Sequence, residues 1–178
     1  MVVSRLTLGI AVLGLVTLMA CSDRADNITA QNGHSSTLAA SDGPNADRTV
    51  RGGDNQIIWS PAPPIFPPGA QFAVLQGDPG KAGEIFTIRL RFPNGYILPP
   101  HIHPTPEYVT VIRGNFLAGM GEDFSRAALT RFDAGDFTTM PAGMAHFAMA
   151  HGITEVQVHA IGPFALTYVH PEDDPTKH

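Results

Sequence analysis

From Ile57 to Val169 the chain shows no sustained helical period; what it shows instead is alternation. Phe86, Ile88, Leu90 and Phe92 fall on one side of an extended segment, with Thr87, Arg89 and Arg91 on the other. Successive side chains of a strand point to opposite faces, so this pattern specifies a strand with one buried face. Val109, Val111, Phe116, Leu117 and Leu129 continue short runs broken by Gly114, Gly119, Gly121 and Gly135. Val156, Val158, Ile161, Phe164, Leu166 and Val169 supply two closing strands around Gly162 and Pro163. The 18 glycines and 16 prolines sit between these runs, which favours turns and many short strands over helices. About eight to eleven short strands in one domain means an all-β sandwich or barrel.

A chain of 178 residues, 43% of them hydrophobic, builds one ordinary domain with a real core. The net charge of −5 is carried with lysines and arginines scattered, so there is no basic footprint for nucleic acid. Residues 1–20 read as a signal peptide: Arg5 precedes an apolar run from Leu6 to Leu18, and Ala20 is small. The run is too short for an ordinary membrane-spanning helix. Leu18-Met19-Ala20-Cys21 resembles a bacterial lipoprotein signal, which implies a lipid-bearing Cys21 at the mature N-terminus. The alternatives are an ordinary secretory signal with an incidental cysteine, or an uncleaved N-terminal anchor. Ser22 stands where an aspartate would imply inner-membrane retention, so the expected address is the periplasmic side of the envelope, at the outer membrane. Cys21 is the one cysteine, so no intramolecular disulfide forms and the core must hold the fold. Residues 21–56 are rich in Ser, Asn, Asp, Gly and Ala and read as a disordered tether. Residues 57–170 form the domain and 171–178 a polar tail. Trp59 reads as a core or edge anchor, and Pro61 to Pro68 as a stiff extended run over the surface.

The chemistry gathers in two clusters. Gly95 to Gly114 holds His101, His103 and Glu107; Gly135 to His146 holds Pro141, Gly143 and a further histidine. His101 and His103 are two apart, so an extended chain projects both imidazoles from one face. Glu107 lies at another even offset beyond Pro104 and Pro106, where the strand is expected to bend and swing the carboxylate toward them. His146 must arrive from a neighbouring strand. Three imidazoles and one carboxylate are what a mononuclear metal site needs.

Gly95, His101, His103, Glu107 and Gly114 fit the first cupin motif, G-x5-H-x-H-x3-E-x6-G. Gly135, Pro141, Gly143 and His146 fit the second, G-x5-P-x-G-x2-H-x3-N, with Ala150 in place of its asparagine. The chain thus resembles a small single-domain bacterial cupin. The resemblance implies a jelly-roll β-barrel holding one divalent transition metal (Mn, Fe, Ni, Cu or Zn) on His101, His103, Glu107 and His146. It also implies a possible homodimer. Three neutral imidazoles and one carboxylate leave such an ion positively charged with open positions, which suits a small, anionic, bidentate molecule.

Glu155, Gln157 and His159 alternate with Val156 and Val158. An inward polar face would make Gln157 and His159 candidate catalytic groups beside the metal; an outward one would leave them solvated. Tyr108 should face away from Glu107 and pack in the core. Met120, Met140, Met144 and Met149 read as gap-fillers, and His151 as a turn residue. The resulting reading is a lipid-anchored envelope cupin acting on a small molecule, of oxygenase, oxidase, decarboxylase or isomerase type. A non-catalytic metal- or ligand-binding module and a structural envelope protein are the other classes, and fold alone does not separate them.

Overall fold

The computed structural model describes residues 57–177; the expected signal, Cys21, the tether and His178 lie outside the described residues. The described strands are β1 (Ser60–Pro61), β2 (Gln71–Gln76), β3 (Ile85–Phe92), β4 (Ile97–Ile102) and β5 (Glu107–Met120). They continue with β6 (Thr130–Asp133), β7 (Phe137–Met140), β8 (His146–Ile161) and β9 (Thr167–Tyr168). Helical structure among the described residues is limited to single 3-10 turns, two of them in the polar tail at Pro171–Asp173 and Pro175–Lys177.

Two of the strands are long: β5 has 14 residues and β8 has 16. The sequence predicts short strands ending at Gly114 and near Gly152, whereas these glycines bend the strands without ending them. Both have φ of 76°, in the left-handed region that glycine alone enters freely. They sit where the β5–β8 register shifts, between the Arg113–Glu155 and Asn115–His151 pairs. His151 is accordingly an exposed strand residue beside the bend and not part of a turn.

The bends let β5 and β8 serve two sheets. Beyond the bend, β8 pairs β3 and the first half of β5; before it, β8 pairs β4 and the second half of β5. One sheet runs β1-β2-β3-β8-β5-β7 and the other β9-β4-β8-β5-β6, every pair antiparallel. Folded face to face, they make a jelly-roll, as the short-strand pattern and the motif resemblance imply. β6 and β7 follow one another in sequence, yet among the described strands each pairs only with β5, which leaves a seam between the sheets.

The predicted alternation of β3 holds. Phe86, Ile88, Leu90 and Phe92 enter the core with Val109, Val111, Val156 and Val158, against Leu98, Phe116 and Ala148 of the other sheet. Each of the larger of these side chains, from valine to phenylalanine, contributes about 1.5–3 kcal/mol on removal from water. The proline-rich segment is less extended than expected: Phe66 N–H donates to the Pro63 carbonyl, turning the chain so that Phe66 enters the core. Tyr96 and Tyr168 tether it by donating their hydroxyls to the carbonyls of Pro67 and Ile65, each at 2.7 Å. Trp59 is a half-buried edge anchor, with the Arg91 guanidinium 4.1 Å over its ring.

Candidate metal centre

Local backbone chemistry places each histidine. The β4–β8 ladder is interrupted between Leu98 and His101, where Pro99 and Pro100 lack the N–H needed to continue it. The freed Pro99 carbonyl accepts a bond from His101 Nδ1 at 2.7 Å. His101 also sits directly across from His146, the first residue of β8. The turn before His146 is clasped to the first motif, because Gly143 N–H donates to the His103 carbonyl at 2.8 Å. His146 Nδ1 donates to the Met144 carbonyl at 2.9 Å, and His103 Nδ1 to the Ala165 carbonyl at 2.7 Å.

These bonds decide the tautomers. A carbonyl oxygen only accepts, so each Nδ1 carries the hydrogen and each neutral ring presents a bare Nε2 lone pair. The three ligand atoms lie within 4.8 Å of one another. Nε2 of His103 and of His146 is buried with no hydrogen-bond partner. Two unsatisfied buried acceptors are costly unless something binds them. Glu107 opens β5 on the rim of the cluster, its Oε2 3.7 Å from Nε2 of both His103 and His146. All four predicted ligands are therefore brought together. The histidines form the tight group, and the carboxylate approaches two of them.

Burial tunes the group. His101 is 1% exposed, and desolvation, then its two imidazole neighbours, holds its pKa well below the usual histidine value. His103 is also lowered, chiefly by desolvation, with the Glu107 carboxylate opposing. Both rings are thus neutral and ligand-competent at neutral pH. A further consequence is acid lability. Below the unfolded histidine pKa, about 6.5, the unfolded chain takes up protons that the native rings refuse, so stability falls with falling pH. The metal-free protein is expected to lose about 1.4 kcal/mol per pH unit for each such proton once the pH is below that value. Urea titrations between neutral pH and pH 5 check this; a midpoint that stays flat or rises on acidification contradicts it.

A cavity of about 20 Å³ adjoins His101, Glu107 and His146, walled by Leu90, Val109, Met140, Val156 and Val158. That is room for one water molecule. Among the described residues no cationic side chain lines it, so this lining offers no counter-charge to the anionic molecule expected from the sequence. Because Val156 and Val158 face this chamber, strand alternation turns Glu155, Gln157 and His159 to the opposite face of β8. The idea that Gln157 and His159 line the metal cavity is corrected accordingly. They belong to a network on the other side of the sheet, which satisfies them there. Gln157 Nε2 donates to His159 Nε2 at 3.2 Å, and His159 Nδ1 then donates to Thr87 Oγ1 at 3.0 Å. Arg89 Nε donates to Gln157 Oε1 at 3.1 Å, while Arg89 and Arg91 pair with the Glu155 carboxylate at 2.9 and 3.3 Å. Arg89 and Arg91, two apart on the polar face of β3, carry a signal for this network that can be read only once β3 is seen to pair β8. Tyr108 does face away from Glu107, but onto the outer surface, where it is 42% exposed and stacks on Phe137. Phe164, expected in a closing strand, lies instead between β8 and β9, its ring nearly parallel to that of His103 at 5.0 Å and 15°.

Residues 70–163, just over half the chain, match the sequence profile of the cupin family. The chain belongs to the cupin family. Among curated proteins none matches it. Its fold is similar to that of the polyketide cyclase RemF from Streptomyces resistomycificus, with TM-score 0.56, 16% identity and coverage of 72% of this chain and 91% of that one. It is also similar to the DMSP lyase DddQ from Ruegeria pomeroyi DSS-3, with TM-score 0.52, 20% identity and coverage of 65% and 62%. At such identities the likeness is one of fold. The cupin departs from the second motif at Ala150, which is 2% exposed and packs its methyl in the core. Its backbone clasps the first motif: Gly95 N–H donates to the Ala150 carbonyl and Ala150 N–H to the Tyr96 carbonyl, both at 2.9 Å.

Proposed function

We propose that this cupin is a divalent-metal-dependent enzyme acting on a small molecule, held on the periplasmic side of a bacterial envelope by lipid at Cys21. The observation that carries the reading is the set of three backbone-anchored imidazoles with converging, bare Nε2 atoms. Orienting a ligand through its other ring nitrogen is what metal sites use to fix tautomer and ring position. His101, His103 and His146 would hold the ion, with the Glu107 carboxylate bordering them. A bound Mn, Fe, Ni, Cu or Zn ion supplies Lewis acidity or a redox centre there. The chain's own part is to hold the donors neutral and, with an apolar wall, to limit the space beside them to about one water molecule. Oxygenase, oxidase, decarboxylase, isomerase, cyclase and lyase chemistry are the classes to screen. The screen is oxygen uptake and product analysis with the ion-loaded protein and panels of small carbonyl compounds and carboxylates. Catalytic turnover that His101→Ala abolishes is the expected result, and stoichiometric binding without turnover of any compound contradicts it.

A second reading, a non-catalytic binding module, draws on the 20 Å³ chamber and on the lack of any acid or base lining it beyond the ligands themselves. The envelope address has its own test. Cys21→Ser is expected to abolish lipid attachment and move the mature protein out of the membrane fraction. Unchanged fractionation would point instead to an uncleaved anchor or another attachment.

A further inference from the structure

The seam between β6 and β7 opens into a cavity of about 270 Å³, lined by Met120, Ala128, Thr130, Phe132, Thr138 and Met140 among others. Met140 also lines the 20 Å³ chamber beside the histidines. One side chain thus borders both spaces. It is 3% exposed and lies directly across from Glu107 in the β5–β7 pair. Methionine is unbranched, with three rotatable side-chain bonds, so it changes shape at less cost than any other apolar residue of its size. The chamber alone admits nothing larger than a water, and joined to the seam cavity it comes close to the lower end of the range of small-ligand sites.

The lining of the seam cavity states what it prefers. Among the described residues no charged side chain contributes to it, and Thr130 and Thr138 bring the only side-chain hydroxyls. An ion entering it would be desolvated with nothing opposite. We infer that this seam cavity binds a small, uncharged, largely apolar organic molecule bearing one carbonyl or hydroxyl, and that Met140 is the movable wall between it and the histidine cluster. The inference rests on the metal-dependent reading for the chemistry after arrival, but binding in the cavity stands independently of it.

The test uses the full chain stripped of metal, so its outcome is separate from that of the metal reading. Cyclopentanone is titrated in while the assigned methionine methyl resonances are monitored by NMR, and cyclopentanecarboxylate serves as the charged counterpart. Saturable shifts of the Met120 and Met140 methyls with the ketone, and none with the carboxylate, are expected. Thr138→Leu fills the cavity and is expected to weaken ketone binding by about tenfold or more, the scale on which a mis-sized apolar pocket discriminates. Thr130→Leu, at an exposed position, gives a second block if the first variant loses its β-sheet circular dichroism. In Met140→Ala the ketone should also shift the ring protons of His146, because the wall is gone. Absence of saturable methyl shifts, equal response to both probes, ketone affinity unchanged in both leucine variants, or histidine signals unmoved in Met140→Ala would each overturn the proposal.

Discussion

His103→Ala is expected to keep its β-sheet circular dichroism while losing most of the rise in melting temperature that a divalent ion gives the wild type. The rise exists because an ion that binds only the folded arrangement stabilises it by mass action. At about a thousand times Kd this amounts to about 4 kcal/mol, on the order of 10–15 °C for a domain of this size. Removing His103 takes away one of three converging nitrogens and leaves the others too few to hold the ion tightly. Without metal, the variant gives up the bond to the Ala165 carbonyl and the stack on Phe164, and the stability lost should be about 1–2 kcal/mol. The fold survives because its core, from Phe86 to Val158, is apolar and independent of the ligands. Calorimetry with and without ion checks both parts. Outright unfolding on chelation, or in the variant, would make the ion a structural staple of the zinc-finger kind.

Gly114→Ala is expected to cost on the order of 3 kcal/mol or more, by the combination of backbone strain and a clash that cannot relax. At φ 76° a non-glycine residue is already strained, and the new Cβ would collide with the Ile153 carbonyl oxygen and lie 2.9 Å from Thr154 Cα. Thr154 cannot retreat. It is fully buried, and its hydroxyl donates to the Asn115 carbonyl at 2.9 Å. The collision therefore falls on the bend that lets β5 and β8 serve two sheets. Gly135→Ala is the matched control: φ is 97°, but nothing lies within 4 Å of the added carbon, so strain alone, about 1–2 kcal/mol, should appear. Urea midpoints of the two variants measure the difference, and equal losses would show that the close approach at Gly114 carries no weight.

The parts of the fold legible beforehand were those set by periodicity and by ligand spacing. The β3 alternation put Phe86 and Ile88 in the core because one face of that strand is dry. The even offset of His101 and His103 put two rings on one face because an extended chain alternates, and the motif resemblance brought His146 to them from another strand. Strand length was not legible. A glycine in a strand pattern reads the same whether it ends the strand or bends it, and only the Arg113–Glu155 and Asn115–His151 registers distinguish the two. The orientation of β8 was ambiguous for a related reason. Val156 and Val158 suit the chamber, while Glu155, Gln157 and His159 suit either face until Arg89 and Arg91 are known to lie beside them. Met140 gave no signal at all, since bordering two cavities is a property of the seam between sheets and not of any local pattern.

The central claim is that the bare imidazole nitrogens of His101, His103 and His146 bind one divalent ion. Its most direct measurement is metal content and X-ray absorption of protein loaded with a single divalent metal and desalted. About one ion per chain is expected, with about three imidazole scatterers at 2.0–2.2 Å that diminish in His146→Ala. Protein that retains no ion, or an absorption spectrum without imidazole scattering and unchanged in His146→Ala, would contradict the account.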